Sequence, residues 1–348
     1  MSWESESKVE SMDPIAQAIA QETSKVEESA SEASRDEKRV PTAKIDEKIP
    51  IKYTAIRKDE SGTIEKISYQ SKDYFGKGGV VTKQANVYLP YGYDASKKYN
   101  VLYLMHGIGG DENEWGMTCD TSRVKLIMDN LSYYGDIESF IVVTPNGRSA
   151  ENHAANGSDY NSFYCFGQEL RNDLIPYVES HYSTYASESL ASAGLDAINN
   201  GTQDSVYESQ KEKADGNAVN KALQDSRDHR AMAGLSMGGM QTINIGIGEC
   251  IDLFSYYGAF SAAPTSNVAD KTAELLKDNT LPIHYFYNIC GTEDNIAYGA
   301  AAAAAKNLPA ACDQFVAGKN FTWQELPGIH DFNIWYLGFY NFAQIAFK

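Results

Sequence analysis

The sequence predicts an α/β fold in which a mostly parallel central sheet is flanked by helices. Short runs rich in β-branched and aromatic residues recur along residues 51–348, and the later runs alternate with segments of helical spacing. Strands that alternate with helices form parallel sheets, because each crossover helix packs back onto the sheet. The first runs follow one another without a helix between them, so we expect that edge of the sheet to be antiparallel.

In chain order, the sequence predicts eight strands and five helical segments. The runs assigned as strands are 66–70, 85–89, 100–105, 140–144, 230–235, 254–260, 283–290 and 321–326. The segments with helical spacing are 122–130, 166–181, 237–247, 270–278 and 297–317. The last of these contains an alanine-rich run, and alanine has the highest helix propensity.

Two segments do not fit the alternating pattern. Residues 1–50 are charged and rich in serine, alanine and glutamate, without the apolar face a helix needs for docking, so they are predicted to be a polar, disordered tail. The folded domain is then 51–348. Residues 187–228 are poor in large apolar side chains and are predicted to be a surface insertion that contributes little to the core, with a lid over a site as the alternative.

Charge and composition exclude several classes of function. The 30 Lys and Arg residues against 47 Asp and Glu residues give a net charge of −17, which repels phosphate backbones, so no nucleic-acid partner is expected. No apolar run of about 18 residues is present, so no membrane span is expected. The histidines and acidic residues show no ligand spacing, and the 5 cysteines form no CxxC pair, so neither a metal nor another cofactor is predicted.

The residues at the start of the sequence lack the basic and apolar stretches of a secretory signal. We expect a secreted protein whose signal is absent from this sequence, with a cytoplasmic location as the alternative.

A Gly-x-Ser-x-Gly motif carries the clearest chemical signal. Gly234, Ser236 and Gly238 follow an apolar strand and open a helical segment, which is the context of a nucleophile elbow. The sharp turn from strand to helix needs glycine on both sides, and it lifts the serine hydroxyl above the edge of the sheet. Ser236 is therefore the predicted nucleophile of an α/β-hydrolase fold.

The general base and its acidic partner should follow the serine, because this fold orders the triad as serine, acid and histidine. Of the histidines that follow Ser236, His284 begins a strand, whereas His330 lies just beyond the last strand, so His330 is the predicted base. Asp294 follows the preceding strand and is the predicted acid, with Glu293 as the second choice. Asp331 adjoins His330 in sequence, which makes it hard for its carboxylate to reach the imidazole.

The same reasoning predicts an oxyanion hole and an aromatic wall. The backbone amide after the nucleophile, that of Met237, is one donor, and the amide of Ile108 in a glycine-rich loop is the other. His106 is expected to hold that loop rather than to catalyse. The aromatic side chains proposed to contact a substrate, with core packing as the alternative, are Trp115, Tyr298 and Trp335.

These motifs together resemble the feruloyl esterases of carbohydrate esterase family 1. The resemblance rests on His106-Gly107-Ile108-Gly109-Gly110 with Trp115, on the segment 173–179, on the elbow, on 291–294, and on 328–335 with its aromatic tail. The resemblance runs from about residue 85 to 348, without the insertion, and implies that the predicted domain 51–348 is an α/β-hydrolase catalytic domain that acts through a Ser-His-Asp triad without a cofactor. It also implies a feruloylated or acetylated xylan-type polysaccharide or oligosaccharide as partner, and release of hydroxycinnamic acids as the reaction.

Three other functions stay open at this point. An acetyl xylan esterase or a generalist carboxylesterase would use the same triad on other esters. A non-catalytic carbohydrate-binding protein could share the fold, but it would not account for a serine, an acid and a histidine in the required order.

Overall fold

An eight-stranded sheet forms the centre of the computed structural model, which describes residues 44–200 and 204–348. Residues 1–43 of the predicted tail lie outside the described residues. The strands are β1 (Thr63–Lys72), β2 (Val80–Leu89), β3 (Val101–Met105), β4 (Ile141–Pro145), β5 (Arg230–Leu235), β6 (Tyr256–Phe260), β7 (Tyr285–Gly291) and β8 (Phe321–Leu326). Each of the runs assigned as strands from the sequence contributes to this sheet.

The strand order is β1-β2-β4-β3-β5-β6-β7-β8. The pairs β1–β2 and β2–β4 are antiparallel, and the strands from β4 through β3 to β8 pair in parallel. The predicted α/β-hydrolase fold with an antiparallel edge is therefore confirmed. Because β3 and β5–β8 run in the same direction, the loops that follow them meet at one edge of the sheet.

Helices cover both faces of the sheet. They are α1 (Arg123–Tyr133), α2 (Phe166–Glu169), α3 (Ile175–His181), α4 (Ser187–Ser192), α5 (Ala197–Asn200), α6 (Asp204–Lys211), α7 (Gly216–Asp225), α8 (Met237–Gln241), α9 (Ala269–Leu276), α10 (Tyr298–Ala311) and α11 (Phe332–Ala343). A wide π-helical turn, Leu170–Leu174, joins α2 to α3, and a second one, Thr242–Ile247, follows α8. No helix among the described residues is long and apolar enough to cross a membrane.

Strand β3 illustrates how the two cores form. Val101, Tyr103 and Met105 belong to one apolar cluster, and Leu102 and Leu104 belong to the other. This alternation follows from the two-residue period of a strand, whose side chains point to opposite faces. Both sets are fully buried, so β3 reads as a continuous apolar run, as expected of a central parallel strand.

Residues 45–49, which precede the first strand and belong to the predicted tail, also contact the domain. The backbone amide of Asp46 donates to the Asn341 side chain at 3.0 Å, and the Tyr340 hydroxyl donates to the Asp46 carboxylate at 2.9 Å. Ile45 and Ile49 pack on the apolar cluster beneath α11. The division of the chain at residue 51 stays a prediction.

The segment 187–228 contains four short helices, α4 to α7, and its described part packs more firmly than the sequence suggested. Tyr207 and Leu223 are buried, and the Tyr207 ring lies 5.0 Å from the rings of Tyr177 and His181 on α3. The expectation that the segment contributes little to the core is wrong. Its large apolar residues are few, but they are spaced to face α3.

The position of this segment also bears on the lid alternative. Thr184, just before it, forms a β-bridge with Tyr99, two residues ahead of β3, and the segment ends where β5 begins. Both attachment points lie at the amino ends of parallel strands, whereas Ser236 follows the carboxyl end of β5. This position favours a supporting role over that of a lid.

We therefore predict that Leu223→Ala lowers the free energy of unfolding by about 2–5 kcal/mol, the usual cost of removing a buried leucine side chain. Urea denaturation measures the change. Leu275→Ala is the matched control, because Leu275 is 42% exposed and its truncation should cost less than about 0.5 kcal/mol. A Leu223→Ala variant as stable as this control would contradict the packing role of the segment.

Candidate active site

Ser236 occupies a strained turn between β5 and α8. Its backbone has φ 51° and ψ −113°, a conformation with positive φ that is costly for a residue other than glycine. A Cβ on Gly234 would lie 2.6 Å from the carbonyl carbon of Gly238, and a Cβ on Gly238 would lie 2.5 Å from the Met105 oxygen. Only glycine fits at both positions, so the motif is explained by close backbone contacts.

The turn brings the Ser236 hydroxyl to the imidazole of His330, which follows β8. Ser236 Oγ lies 3.0 Å from His330 Nε2, and His330 Nδ1 lies 2.6 Å from Asp294 Oδ2. The carboxylate can only accept a hydrogen bond, so Nδ1 carries the proton, and in the neutral ring Nε2 is left as the acceptor for the serine hydroxyl. The structure thus brings the three residues selected from the sequence into one hydrogen-bonded chain.

Asp294 is buried, and its surroundings favour the ionised form. Burial by itself raises the pKa of a carboxyl group. Asp294, however, accepts hydrogen bonds from the Ala297 amide at 2.8 Å, from His330 and from the Ile296 amide at 3.0 Å. These hydrogen bonds outweigh the effect of burial, so the pKa of Asp294 is lowered. The residue is therefore held as an acceptor for the imidazole.

The other two acidic residues considered from the sequence make different contacts. Glu293 is exposed, and Asp331 caps α11 by accepting from the Asn333 amide at 2.9 Å. Neither contacts the His330 ring. Among the described residues, no group of three or more histidine, cysteine, aspartate and glutamate side chains is placed to hold a metal ion.

Two backbone amides next to the serine lack an acceptor among the described residues. These are the amide of Met237, at the first turn of α8, and the amide of Ile108, in the loop after β3. That loop lies close to the nucleophile, because a Cβ on Gly107 would lie 3.4 Å from the Ser236 Cβ. Both amides belong to the residues predicted to form an oxyanion hole.

His106 is buried behind this loop. The Gly147 amide donates to its Nε2 at 2.8 Å, and its Nδ1 donates to the Gly107 oxygen at 2.7 Å. Burial lowers the pKa of His106 to about 3, and the hydrogen bond to Gly107 opposes this only in part. The residue is thus a neutral bridge between two loops, in keeping with a structural role.

The aromatic residues predicted to contact a substrate differ in their surroundings. Trp115 is completely buried and donates from Nε1 to the Met105 oxygen at 2.9 Å, so the prediction of a substrate contact is wrong for it. Trp335 is only 8% exposed, and its ring packs edge to face on the His330 ring at 5.0 Å. It therefore supports His330 and does not form an exposed surface for a substrate. Tyr298 is half-buried, and its hydroxyl donates to Glu325 at 2.9 Å.

Four residues beside the site were not predicted from the sequence, namely Phe163, Tyr164, Glu114 and Arg148. Phe163 and the half-buried Tyr164 belong to a small apolar cluster with Met237 and Ile108, and the aromatic pair after a polar loop was the available signal. Glu114 and Arg148 hydrogen-bond to the loop that carries Ile108. Glu114 precedes Trp115 in the loop motif, but no sequence signal pointed to Arg148.

A groove of about 540 Å³ flanks the turn that carries His330. Residues on both sides of that histidine line it, together with Glu293, Arg123 and the rings of Phe332 and Tyr336. Ser236 does not line this groove, which therefore lies beside the nucleophile rather than over it.

Comparison with known proteins shows which sequences and folds this chain is similar to. The family model described as putative esterase matches residues 82–195. Endo-1,4-beta-xylanase Y of Acetivibrio thermocellus is 34% identical over 231 residues, which cover 65% of this chain and 18% of that protein. The chain thus spans less than a fifth of the length of this relative.

Two solved structures share most of the fold. The feruloyl esterase module of Clostridium thermocellum, in a complex with sinapinate, has a TM-score of 0.66 and 27% identity over 88% of this chain and 95% of its own. A CE1 ferulic acid esterase from the anaerobic fungus Anaeromyces mucronatus has a TM-score of 0.64 and 26% identity over 88% of this chain and 98% of its own. The predicted resemblance to feruloyl esterases of carbohydrate esterase family 1 is confirmed.

The buried neutral state of His106 predicts a pH-dependent stability. Between pH 6.5 and about 3 the unfolded chain binds a proton at this residue that the folded chain does not, so stability falls as the pH falls. The contribution of one residue is at most about 1.4 kcal/mol per pH unit. Urea denaturation between pH 7 and pH 5 should show a shallower dependence for His106→Gln than for wild type. Equal slopes would show that His106 does not titrate in this way.

Proposed function

We propose that this chain, an α/β-hydrolase of the carbohydrate esterase family 1 type, is a feruloyl esterase that releases hydroxycinnamic acids from plant cell-wall polysaccharides. The observation that carries the proposal is the hydrogen-bonded chain from Ser236 through His330 to Asp294, beside two backbone amides without an acceptor among the described residues. This arrangement suits acyl transfer, because it joins an activated nucleophile to donors for a developing oxyanion.

In the first half of the proposed reaction, Ser236 Oγ attacks the ester carbonyl carbon as His330 Nε2 takes the hydroxyl proton. The carbonyl π electrons move to oxygen, and the amides of Ile108 and Met237 stabilise the resulting oxyanion. When the tetrahedral intermediate collapses, the C–O bond to the sugar breaks and His330 gives its proton to the departing alkoxide. Asp294 stabilises the imidazolium throughout and keeps its own charge.

In the second half, water attacks the acyl-enzyme and gives its proton to His330. Collapse of the second intermediate breaks the bond to Ser236 Oγ, which regains the proton. The products are the free carboxylic acid and the restored serine, so no oxidant, reductant or metal is required by the reaction.

The surroundings of Ser236 support a phenolic acyl group. Ile108, Tyr164 and Met237 offer apolar surface at the nucleophile, and an aromatic ring packs well on such side chains. We place the alcohol part of the substrate in the groove beside His330, because that histidine must protonate the oxygen of the departing alcohol.

The polysaccharide partner follows from the same proposal. The similar module from Clostridium thermocellum is a feruloyl esterase, and the relative from Acetivibrio thermocellus is a xylanase. A feruloylated or acetylated xylan is thus the proposed substrate, and since that polymer is extracellular, we propose that the protein acts after secretion.

We predict that Ser236→Ala and His330→Ala each lower kcat on methyl ferulate by at least about 10³-fold, because members of one triad act as a unit. Asp294→Asn should lose at least about 10²-fold, since an amide cannot hold the required imidazole tautomer and charge. Initial rates and circular dichroism of the purified variants give the result and show that each variant is folded.

Glu293→Gln and Asp331→Asn are the matched controls for Asp294→Asn. Both remove a nearby carboxylate without touching the imidazole, and asparagine can still cap α11. Their turnover should stay close to that of wild type. Near-normal turnover by Ser236→Ala, or an inactive Glu293→Gln with an active Asp294→Asn, would refute the assigned roles.

We further predict a higher kcat/KM for methyl ferulate than for p-nitrophenyl palmitate, with release of ferulate from wheat arabinoxylan. The cluster beside Ser236 contains the aromatic rings of Phe163 and Tyr164, and aromatic rings pack well on a cinnamoyl ring. Efficient cleavage of palmitate without any release of ferulate would favour a generalist carboxylesterase. Release of acetate from acetylated xylan without release of ferulate would favour an acetyl xylan esterase.

A further inference from the structure

We propose that Arg148, together with Glu114, positions the oxyanion hole by fixing the peptides on either side of Ile108. The inference rests on the proposed ester hydrolysis and adds two residues outside the triad and its amide donors. Neither side chain is assigned a contact with the reacting atoms, so both are positioning residues.

The loop that carries Ile108 needs support from outside itself. Residues 107, 109 and 110 are glycine, which has the widest backbone freedom of any residue. Within the loop, a single backbone hydrogen bond of 3.3 Å joins the Gly110 amide to the Gly107 oxygen. Donors act on an oxyanion with full effect only when they are already oriented before the reaction.

Arg148 supplies this support through its guanidinium fork. Nη1 donates to the Gly110 oxygen at 2.6 Å, and Nη2 donates to the Ile108 oxygen and, at 3.2 Å, to the Asn156 oxygen. The fork therefore spans two carbonyls of the glycine-rich loop and ties them to the loop after β4, which contains both Arg148 and Asn156. In particular, it fixes the peptide that follows Ile108.

His106 and Glu114 fix the peptides before Ile108. His106 Nδ1 donates to the Gly107 oxygen at 2.7 Å, and in a trans peptide the N–H points away from the C=O, so the Ile108 amide is directed away from the His106 ring. Glu114 Oε2 accepts from the Gly107 amide at 2.6 Å. Every peptide from residue 106 to residue 109 is thus held by a side chain, while the Ile108 N–H stays unpaired among the described residues.

Packing alone does not account for a cation at this position. Arg148 has no exposed surface, no described carboxylate lies within 4.0 Å of its guanidinium, and its Nε has no hydrogen-bond partner. Burial lowers the pKa of Arg148, and more distant carboxylates of Asp159, Glu114 and Asp111 oppose the shift. The cation is instead stabilised by three backbone carbonyls and by the Phe163 ring, 4.7 Å from its guanidinium carbon, and two of those carbonyls belong to the loop of Ile108.

The experiment compares Arg148→Met and Arg148→Lys with wild type, using an aryl boronic acid as a probe of the tetrahedral state. Ser236 Oγ adds to boron, its proton passes to His330, and the tetrahedral boronate carries its negative charge at the proposed oxyanion site. We expect kcat on methyl ferulate and the boronate affinity to fall together, by about 10- to 100-fold, as is usual for a slight misplacement of catalytic groups. The affinity for ferulate, measured by calorimetry, should change little. Lysine should restore little, because one ammonium cannot reproduce the fork.

Arg227→Met is the matched control. Arg227 is also buried and donates to three backbone carbonyls, those of Ile251, Pro282 and Phe254, but it lies at the amino end of β5. Its loss should lower the melting temperature without changing kcat or boronate affinity at 25 °C. Glu114→Leu, which removes the acceptor for the Gly107 amide, should behave like Arg148→Met, and Glu114→Gln, which keeps an acceptor, should restore part of the lost kcat and boronate affinity.

The outcomes separate the two proposals. A folded Arg148→Met with wild-type kcat and boronate affinity would overturn the positioning role, and so would an equal loss of affinity for boronate and for ferulate. If Arg148→Met does not fold, the same comparison on Arg148→Lys decides. A wild-type protein that binds the boronate but does not hydrolyse methyl ferulate would reject the proposed substrate, and boronate affinity would still decide the role of Arg148.

Discussion

The backbone at Ser236 turns through a conformation with positive φ, and the chain can do so only because Gly234 and Gly238 carry no side chains. This turn places the hydroxyl at the carboxyl end of β5 and starts α8 directly behind it, where the Met237 amide has no acceptor within residues 44–200 and 204–348. The strain is sustained by a fully buried strand on one side and by contacts with β3 on the other. Every other group of the candidate site is arranged around the position of this one oxygen.

Parallel pairing determines which residues can reach that oxygen. The loops after β3, β5, β7 and β8 contribute the Ile108 amide, Ser236, Asp294 and His330, although these residues are up to 222 positions apart along the chain. The surroundings of two buried groups there set their charge states. Asp294 stays ionised because amides and the imidazole donate to it, whereas His106 stays neutral because it is buried between two loops.

The two ends of the parallel strands differ in their chemistry. At the amino end, Arg230 pairs with Glu179 at 2.6 Å and donates to carbonyls of the neighbouring segments, and α4 to α7 pack nearby with few but buried apolar residues. All three guanidinium nitrogens of Arg230 have internal acceptors, as suits a stabilising role. At the carboxyl end, the Ile108 and Met237 amides have no acceptor in the described part of the chain, and they lie beside the hydrogen-bonded chain of Ser236, His330 and Asp294. Changes at the two ends should therefore separate stability from turnover.

The sequence by itself determined the sheet, the elbow and the choice of Ser236, Asp294 and His330 as candidates, which the structure joins by hydrogen bonds. Period-two strands, glycine spacing and chain order can all be read directly along the chain. It did not determine the surroundings of side chains. Trp115 and Trp335 are buried, Tyr207 and Leu223 make the segment 187–228 part of the core, and Arg148 reaches back to the loop of Ile108. Burial and contacts between loops depend on which segments meet in space, and only the tertiary structure decides that.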